Sequence, residues 1–146
     1  MEVILLVGIP ASGKSSFYQR RFAMTHVRVN RDMLGTKARE RSLFQWCLDH
    51  QQACVIDNTN TTREIRAQWI EPARAAGYPV ICYYMQSNVM ECLERNRSRL
   101  GSACIPDVGV RDHHARLEIP SLDEGYAALR FVTMSGMDFK VENWKP

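Results

Sequence analysis

The run Gly8-Ile9-Pro10-Ala11-Ser12-Gly13-Lys14-Ser15 limits the folds open to this chain more than any other stretch. Five apolar residues, Val3 to Val7, precede it, and a helix-compatible segment follows from Ser16. Two glycines, then lysine and a hydroxyl directly after the second, match the Walker A pattern, in which backbone N–H groups turn toward phosphate oxygens. At ordinary glycine frequencies the four fixed positions coincide by accident on the order of once in several hundred chains of this length. A strand must deliver such a loop and a helix must leave it, so that the helix N-terminus adds its partial positive charge. Gly8 to Ser16 are therefore the expected nucleotide-binding residues, with Lys14 reaching the outer phosphates of ATP and Ser15 ligating Mg2+.

Downstream, short apolar segments alternate with longer amphipathic ones, an α/β rhythm. Strands are predicted at Val3–Val7, Val27–Asn30, Cys54–Asp57, Val80–Met85 and Leu129–Met134, mostly as the continuous apolar runs of a parallel sheet buried on both faces. The expected architecture is a three-layer P-loop NTPase-type α/β fold, five parallel strands flanked by helices, in a single domain over residues 1–146. Thr61 and Glu64 have capping-box spacing at the start of one helix, Gly77 and Pro79 stop it, and Asn88 with Glu91 repeats the start signal. From Gly101 to Pro120 the pattern loosens into a polar, histidine-containing stretch, so a small helical lid is predicted at about 96–120.

Composition narrows the setting. The chain is 45% hydrophobic and 24% charged, and no apolar run approaches the roughly 20 residues of a membrane span. Val3 to Val7 lacks the basic lead-in and cleavage site of a signal peptide. Five cysteines, with no Cys-x-x-Cys pair, point to neither a disulfide framework nor a zinc site, and a cytoplasmic location is expected. Of 19 basic residues only Lys14, Lys37, Lys140 and Lys145 are lysines. Arginine suits phosphate recognition because its planar fork grips two oxygens at once, although many arginines simply solvate helix faces.

In open parallel sheets ligands bind at the carboxyl ends of the strands, and two polar clusters fall there. Asn30-Arg31-Asp32 follows the second strand; Asp32 can accept the proton of an attacking hydroxyl, or can merely cap a helix. Asp57-Asn58-Thr59-Asn60 ends the third strand, with Asp57 in a Walker B-like place to hold magnesium and the next three presenting donors and acceptors to a substrate. Asx-turn chemistry accounts for one or two of these four. Arg95, Arg97 and Arg99, with Arg111 and Arg116 further on, are candidates to close over the nucleotide; their spacing spreads them around a helix, so only some can point inward.

These segments together resemble the kinase domain of the 5'-polynucleotide kinases, particularly the animal polynucleotide kinase/phosphatases of DNA end repair. Val29-Asn30-Arg31-Asp32 with Leu34-Gly35, Val55 to Asn60, Asn96-Arg97 with Arg99, and Glu118 to Gly125 look like that family's segments in the same order. The resemblance implies that Asp32 is the general base, that Lys14 and Ser15 bind phosphate and magnesium, and that Arg97 and Arg99 engage ATP. It implies transfer of the γ-phosphate to the 5'-hydroxyl end of DNA or RNA, with Arg31, Asp32, Asn58, Thr59 and Asn60 on the acceptor side. Gly35 stands where some relatives carry an arginine for the acceptor's phosphate, so that grip must come from elsewhere, and no Asp-x-Asp nucleophile of a fused phosphatase occurs. A kinase of a small hydroxyl-bearing metabolite and a non-catalytic nucleotide-binding module stay open beside this reading. His113-His114 are expected to be solvated, and Trp46, Trp69 and Trp144 to be packing residues.

Overall fold

The computed structural model describes residues 1–145. Strand β1 (Val3–Val7) is apolar and buried at every position, which requires cover on both faces of the sheet. It pairs in parallel with β3 (Cys54–Asp57) on one side and β4 (Val80–Met85) on the other. With β2 (Val27–Val29), β5 (Ala128–Ser135) and β6 (Asp138–Asn143), the order is β2-β3-β1-β4-β5-β6. Six helices accompany it: α1 (Lys14–Arg21), α2 (Arg31–Leu34), α3 (Lys37–Asp49), α4 (Arg63–Ala75), α5 (Val89–Arg97) and α6 (Asp107–Arg116). Alternation along β1 divides the core. Val3, Leu5 and Val7 pack with Phe44, Trp69 and Ile70 from α3 and α4, while Ile4 and Leu6 pack with Phe17 of α1 and with Phe22. The three layers follow from that division.

The expected five-stranded sheet is correct in its parallel part and one strand short. β6 runs antiparallel to β5, with Ser135 opposite Asp138 across the two-residue turn Gly136-Met137, where Gly136 has φ +63°. β2 ends one residue early because Asn30 leaves the ladder to cap α2, its Oδ1 accepting the Met33 N–H at 2.9 Å. The cap of α4 is Thr62 rather than Thr61, accepting from the Ile65 N–H, and Asn88 caps α5 through the Glu91 N–H.

Residues 96–120 are mostly exposed but are anchored to the domain at two points. Asn96 and Arg97 finish α5, and Val110 of α6 is fully buried beside Ile9, Cys92 and Leu93. Asn96, itself fully buried, donates to the Ile105 carbonyl at 2.7 Å and accepts the Ile105 N–H at 3.1 Å, pinning the connection between the two helices. One amide thereby replaces the backbone pairing that this irregular stretch lacks.

Candidate active site

The phosphate loop is shaped by close approaches. A Cβ on Gly8 would lie 2.4 Å from the Ser12 Oγ and 3.0 Å from the Met85 Cβ. Gly13, which caps α1, takes φ +100°, and Ala11 takes the left-handed region as well, at φ +66°. Side chains from elsewhere hold the loop: the Ser87 Oγ accepts the Ile9 N–H at 3.1 Å, and Arg95 Nε donates to the Ala11 carbonyl at 2.7 Å. The Lys14 ammonium curls onto the carbonyls of Gly8 and Ile9, at 2.9 and 3.0 Å. Desolvation there, opposed by Asp57 and reinforced by the charge of Arg99, pushes its pKa down to about 8. Ile9 is wholly buried and Pro10 lines the cavity in front of the loop, while Ser16 is exposed in the first turn of α1.

Ser15 and Asp57 meet at the strand ends, the serine hydroxyl donating to Asp57 Oδ2 at 3.2 Å. A hydroxyl and a carboxylate side by side are the hard oxygen donors that Mg2+ takes alongside phosphate oxygens and water, so the residues fit the ion that the fold family uses. Arg28 of β2, which its apolar flanks Val27 and Val29 conceal in the sequence, also reaches this point: Nε donates to Asp57 Oδ2 at 2.8 Å and Nη2 to Ser15 Oγ at 3.0 Å.

Beyond them two asparagines hold the start of α2. Asn30 Nδ2 donates to the Asp57 carbonyl at 2.6 Å, and Asn58 Oδ1 accepts the Arg31 N–H at 2.9 Å. Asn58 is oriented by Glu40, a buried carboxylate of α3 that accepts its Nδ2 at 2.7 Å and faces Arg31 at 3.6 Å. Asp32, on this clamped turn, is exposed and makes no hydrogen bond or ion pair among the described residues. Thr59 faces the cavity and accepts the Gly8 N–H on its carbonyl. Asn60 has a structural share: in left-handed backbone at φ +48°, it donates to the Leu6 carbonyl at 2.7 Å and straps β3 to β1. Glu40 sits on the inward stripe of α3 with Phe44, Cys47 and Leu48, so a carboxylate in an apolar stripe is the signal that could have found it.

The arginines divide. Arg99 lines the cavity, whereas Arg97 turns outward to Asp107 at 2.9 Å and is 64% exposed. Arg95 clamps the loop from outside, and Arg111 and Arg116 lie on the exposed face of α6. The expected pairing of Arg97 and Arg99 over the nucleotide thus reduces to Arg99, because α5 ends at Arg97 and Arg99 lies beyond its Ser98 cap, where the chain has already turned toward the cavity. His113, expected to be solvated, faces the cavity with a buried Nδ1 that has no partner, while His114 is exposed. Trp69 is buried at the cavity's far wall, Trp46 stacks on His50 and Trp144 on Phe131.

One cavity of about 850 Å3 joins Lys14, Ser15, Asp32, Asn58, Arg99 and His113. The exposed carboxylate of Asp32 opens into the same space as the Walker A loop, and together with the sheet order this makes the chain a P-loop phosphotransferase with a nucleotide site. More particularly, it belongs to the AAA_33 family, an AAA domain, which matches residues 3–118. It is 29% identical to the bifunctional polynucleotide phosphatase/kinase of Schizosaccharomyces pombe over 152 residues, which take in 98% of this chain and 36% of that protein. The chain spans 36% of that protein's length, and 33% and 16% of the lengths of two further curated relatives it matches. Among solved structures, a gluconokinase from Sinorhizobium meliloti 1021 shares the fold at TM-score 0.63 and 18% identity, over 90% of this chain and 82% of that one. Kti12 of Chaetomium thermophilum does so at TM-score 0.67 and 16% identity, over 90% and 88%. Among the described residues no helix is long and apolar enough to cross a membrane.

Proposed function

We propose that this chain is an ATP-dependent polynucleotide 5'-hydroxyl kinase, moving the γ-phosphate of ATP to the 5'-hydroxyl end of DNA or RNA, as in nucleic-acid repair. The observation that carries this reading is the cavity wall beyond Asp32, made of the solvent-exposed Arg31, Met33, Lys37 and Arg41. A small polyol calls for an enclosing pocket, whereas an open cationic wall suits the repeated phosphates of a strand end. Similarity to the S. pombe phosphatase/kinase supports the same acceptor. The free cysteines accord with a reducing, cytoplasmic setting.

In this mechanism the loop N–H groups and Lys14 hold the outer phosphates, and Asp32 orients the acceptor hydroxyl. As the hydroxyl oxygen bonds to the γ-phosphorus, the bond to the bridging oxygen breaks, ADP departs, and the hydroxyl proton passes to Asp32 late in the transfer. Arg99 neutralises charge on the moving group, and the segment 96–120 serves as the lid that carries it. Ser15 and Asp57 would hold magnesium, which would supply charge neutralisation for the transfer.

Transfer of labelled phosphate from ATP and Mg2+ to short 5'-hydroxyl oligonucleotides, DNA and RNA in parallel, tests this. Asp32→Ala is expected to lower turnover by about 10²- to 10⁴-fold, the usual worth of a positioned base, with nucleotide affinity little changed. Unlabelled oligonucleotides beside a labelled nucleoside or sugar would move the chain to the metabolite kinases.

A further inference from the structure

Among the described residues Arg28 is the one charged side chain that hydrogen-bonds both Ser15 Oγ and Asp57, and what it does there follows from burial. Asp57 is 1% exposed, and a carboxylate so thoroughly removed from water requires a cationic partner. Arg28 provides it at 2.8 Å, and its second nitrogen holds the Ser15 hydroxyl at 3.0 Å, closing a ring with the 3.2 Å bond from Ser15 to Asp57. The guanidinium is braced by the Tyr18 ring, whose centroid lies 5.8 Å away, and the Tyr18 hydroxyl is itself fixed to the His26 carbonyl at 2.7 Å. Yet Arg28 is 23% exposed and lines the cavity, so it has space to withdraw without unfolding β2. Lys14, Arg99 and Asp32 are the other charges near this point, and Lys14 is occupied with the loop carbonyls.

We propose that Arg28 is a tethered cation that competes with the divalent metal for Ser15 and Asp57, and so sets how far nucleotide binding depends on magnesium. This rests on the reading of Ser15 and Asp57 as magnesium ligands. A metal and a guanidinium cannot both sit against the same two oxygens: like charges repel there, and Asp57 needs only one partner. A bound metal would displace Arg28 from Ser15 and Asp57 into the adjoining cavity; without metal, Arg28 is the positive charge at these two oxygens. Arg28 is therefore a positioning residue, and its effect appears in binding before any phosphate moves.

Fluorescent ADP bound to the purified chain provides the test, first with chelator and then across a magnesium titration. In Arg28→Gln the magnesium concentration that half-saturates the gain in ADP affinity is expected to fall about tenfold, the worth of one charge-assisted hydrogen bond no longer to be broken. Metal-free ADP affinity is expected to drop in the same variant, and Arg28→Lys, which keeps charge but not the fork, to fall between. A magnesium midpoint unmoved or raised in a folded Arg28→Gln protein, with Arg28→Lys indistinguishable from it, overturns the inference. So does a wild-type chain whose ADP affinity is indifferent to magnesium, and that result also removes the metal assignment. Failure to phosphorylate oligonucleotides with the magnesium shift intact strikes only the acceptor reading.

Discussion

His113 shows how much one side chain can add to a site built mainly by a loop. Its Nδ1 is buried without a partner, and its pKa is held below the ordinary value of 6.5 by burial first, then by Arg116 and Lys14. A base depressed in this way binds fewer protons folded than unfolded between its lowered value and 6.5. Stability therefore falls as pH drops through that window, since the unfolded chain takes up the proton that the folded one refuses. His113→Gln removes this linkage, and its melting temperature is expected to fall less than the wild type's between pH 7 and pH 5. Parallel melting curves for the two proteins would show that the imidazole is not desolvated.

At the level of helices and strands, the end of α5 separates arginines that look equivalent in the sequence. Arg99 lines the cavity and Arg97 pairs outward with Asp107, so their variants are expected to differ. Arg99→Ala should reduce turnover on the order of 10²-fold, as loss of a transition-state donor does, while Arg97→Ala loses an exposed ion pair of about 1 kcal/mol or less and keeps its rate. Steady-state phosphate transfer by the two variants checks this, and equal losses would point to damage in α5 itself. The same helix shows where sequence reasoning reaches and where it stops. The phosphate loop, Asn30 to Asp32 and Asp57 to Asn60 are legible because each is contiguous and ends a buried strand. Arg28, Glu40 and His113 come from three separate elements: Arg28 interrupts an apolar strand, Glu40 lies between Arg39 and Arg41, and His113 sits in a polar run, so nothing contiguous in the sequence brings them together. β6 is passed over for a related reason. Its Phe139 and Val141 alternate with exposed residues, as in a half-buried antiparallel edge, whereas the other strands are mostly continuous apolar runs.

For the molecule as a whole, one buried ion pair joins segments distant in sequence. Arg66 of α4, fully buried, meets Glu124 through two bonds of 2.7 and 3.1 Å and donates to the carbonyls of Asn60, Thr61 and Glu118. The turn after β3 and the segment before β5 are thereby tied to one guanidinium. Glu124→Ala leaves that charge uncompensated and is expected to cost about 3–5 kcal/mol in denaturant unfolding. A single-variant loss under about 1 kcal/mol would mean that water reaches the pair. The pair also gives a physical reason for the Glu118 to Gly125 resemblance, which pattern alone leaves as an unexplained polar run.

The two outer strands of the sheet bear on how copies of this chain meet one another. β2 offers only three residues of open backbone, and β6 turns Asp138, Lys140 and Glu142 outward. A visiting strand would find little to pair with on one side and would have to desolvate charges on the other, so continuation of the sheet from molecule to molecule is opposed at both ends. Concentrated solutions of the folded protein should accordingly resist growth into ribbons, a protection that owes nothing to the phosphate loop and much to the hairpin that the apolar pattern leaves unmarked.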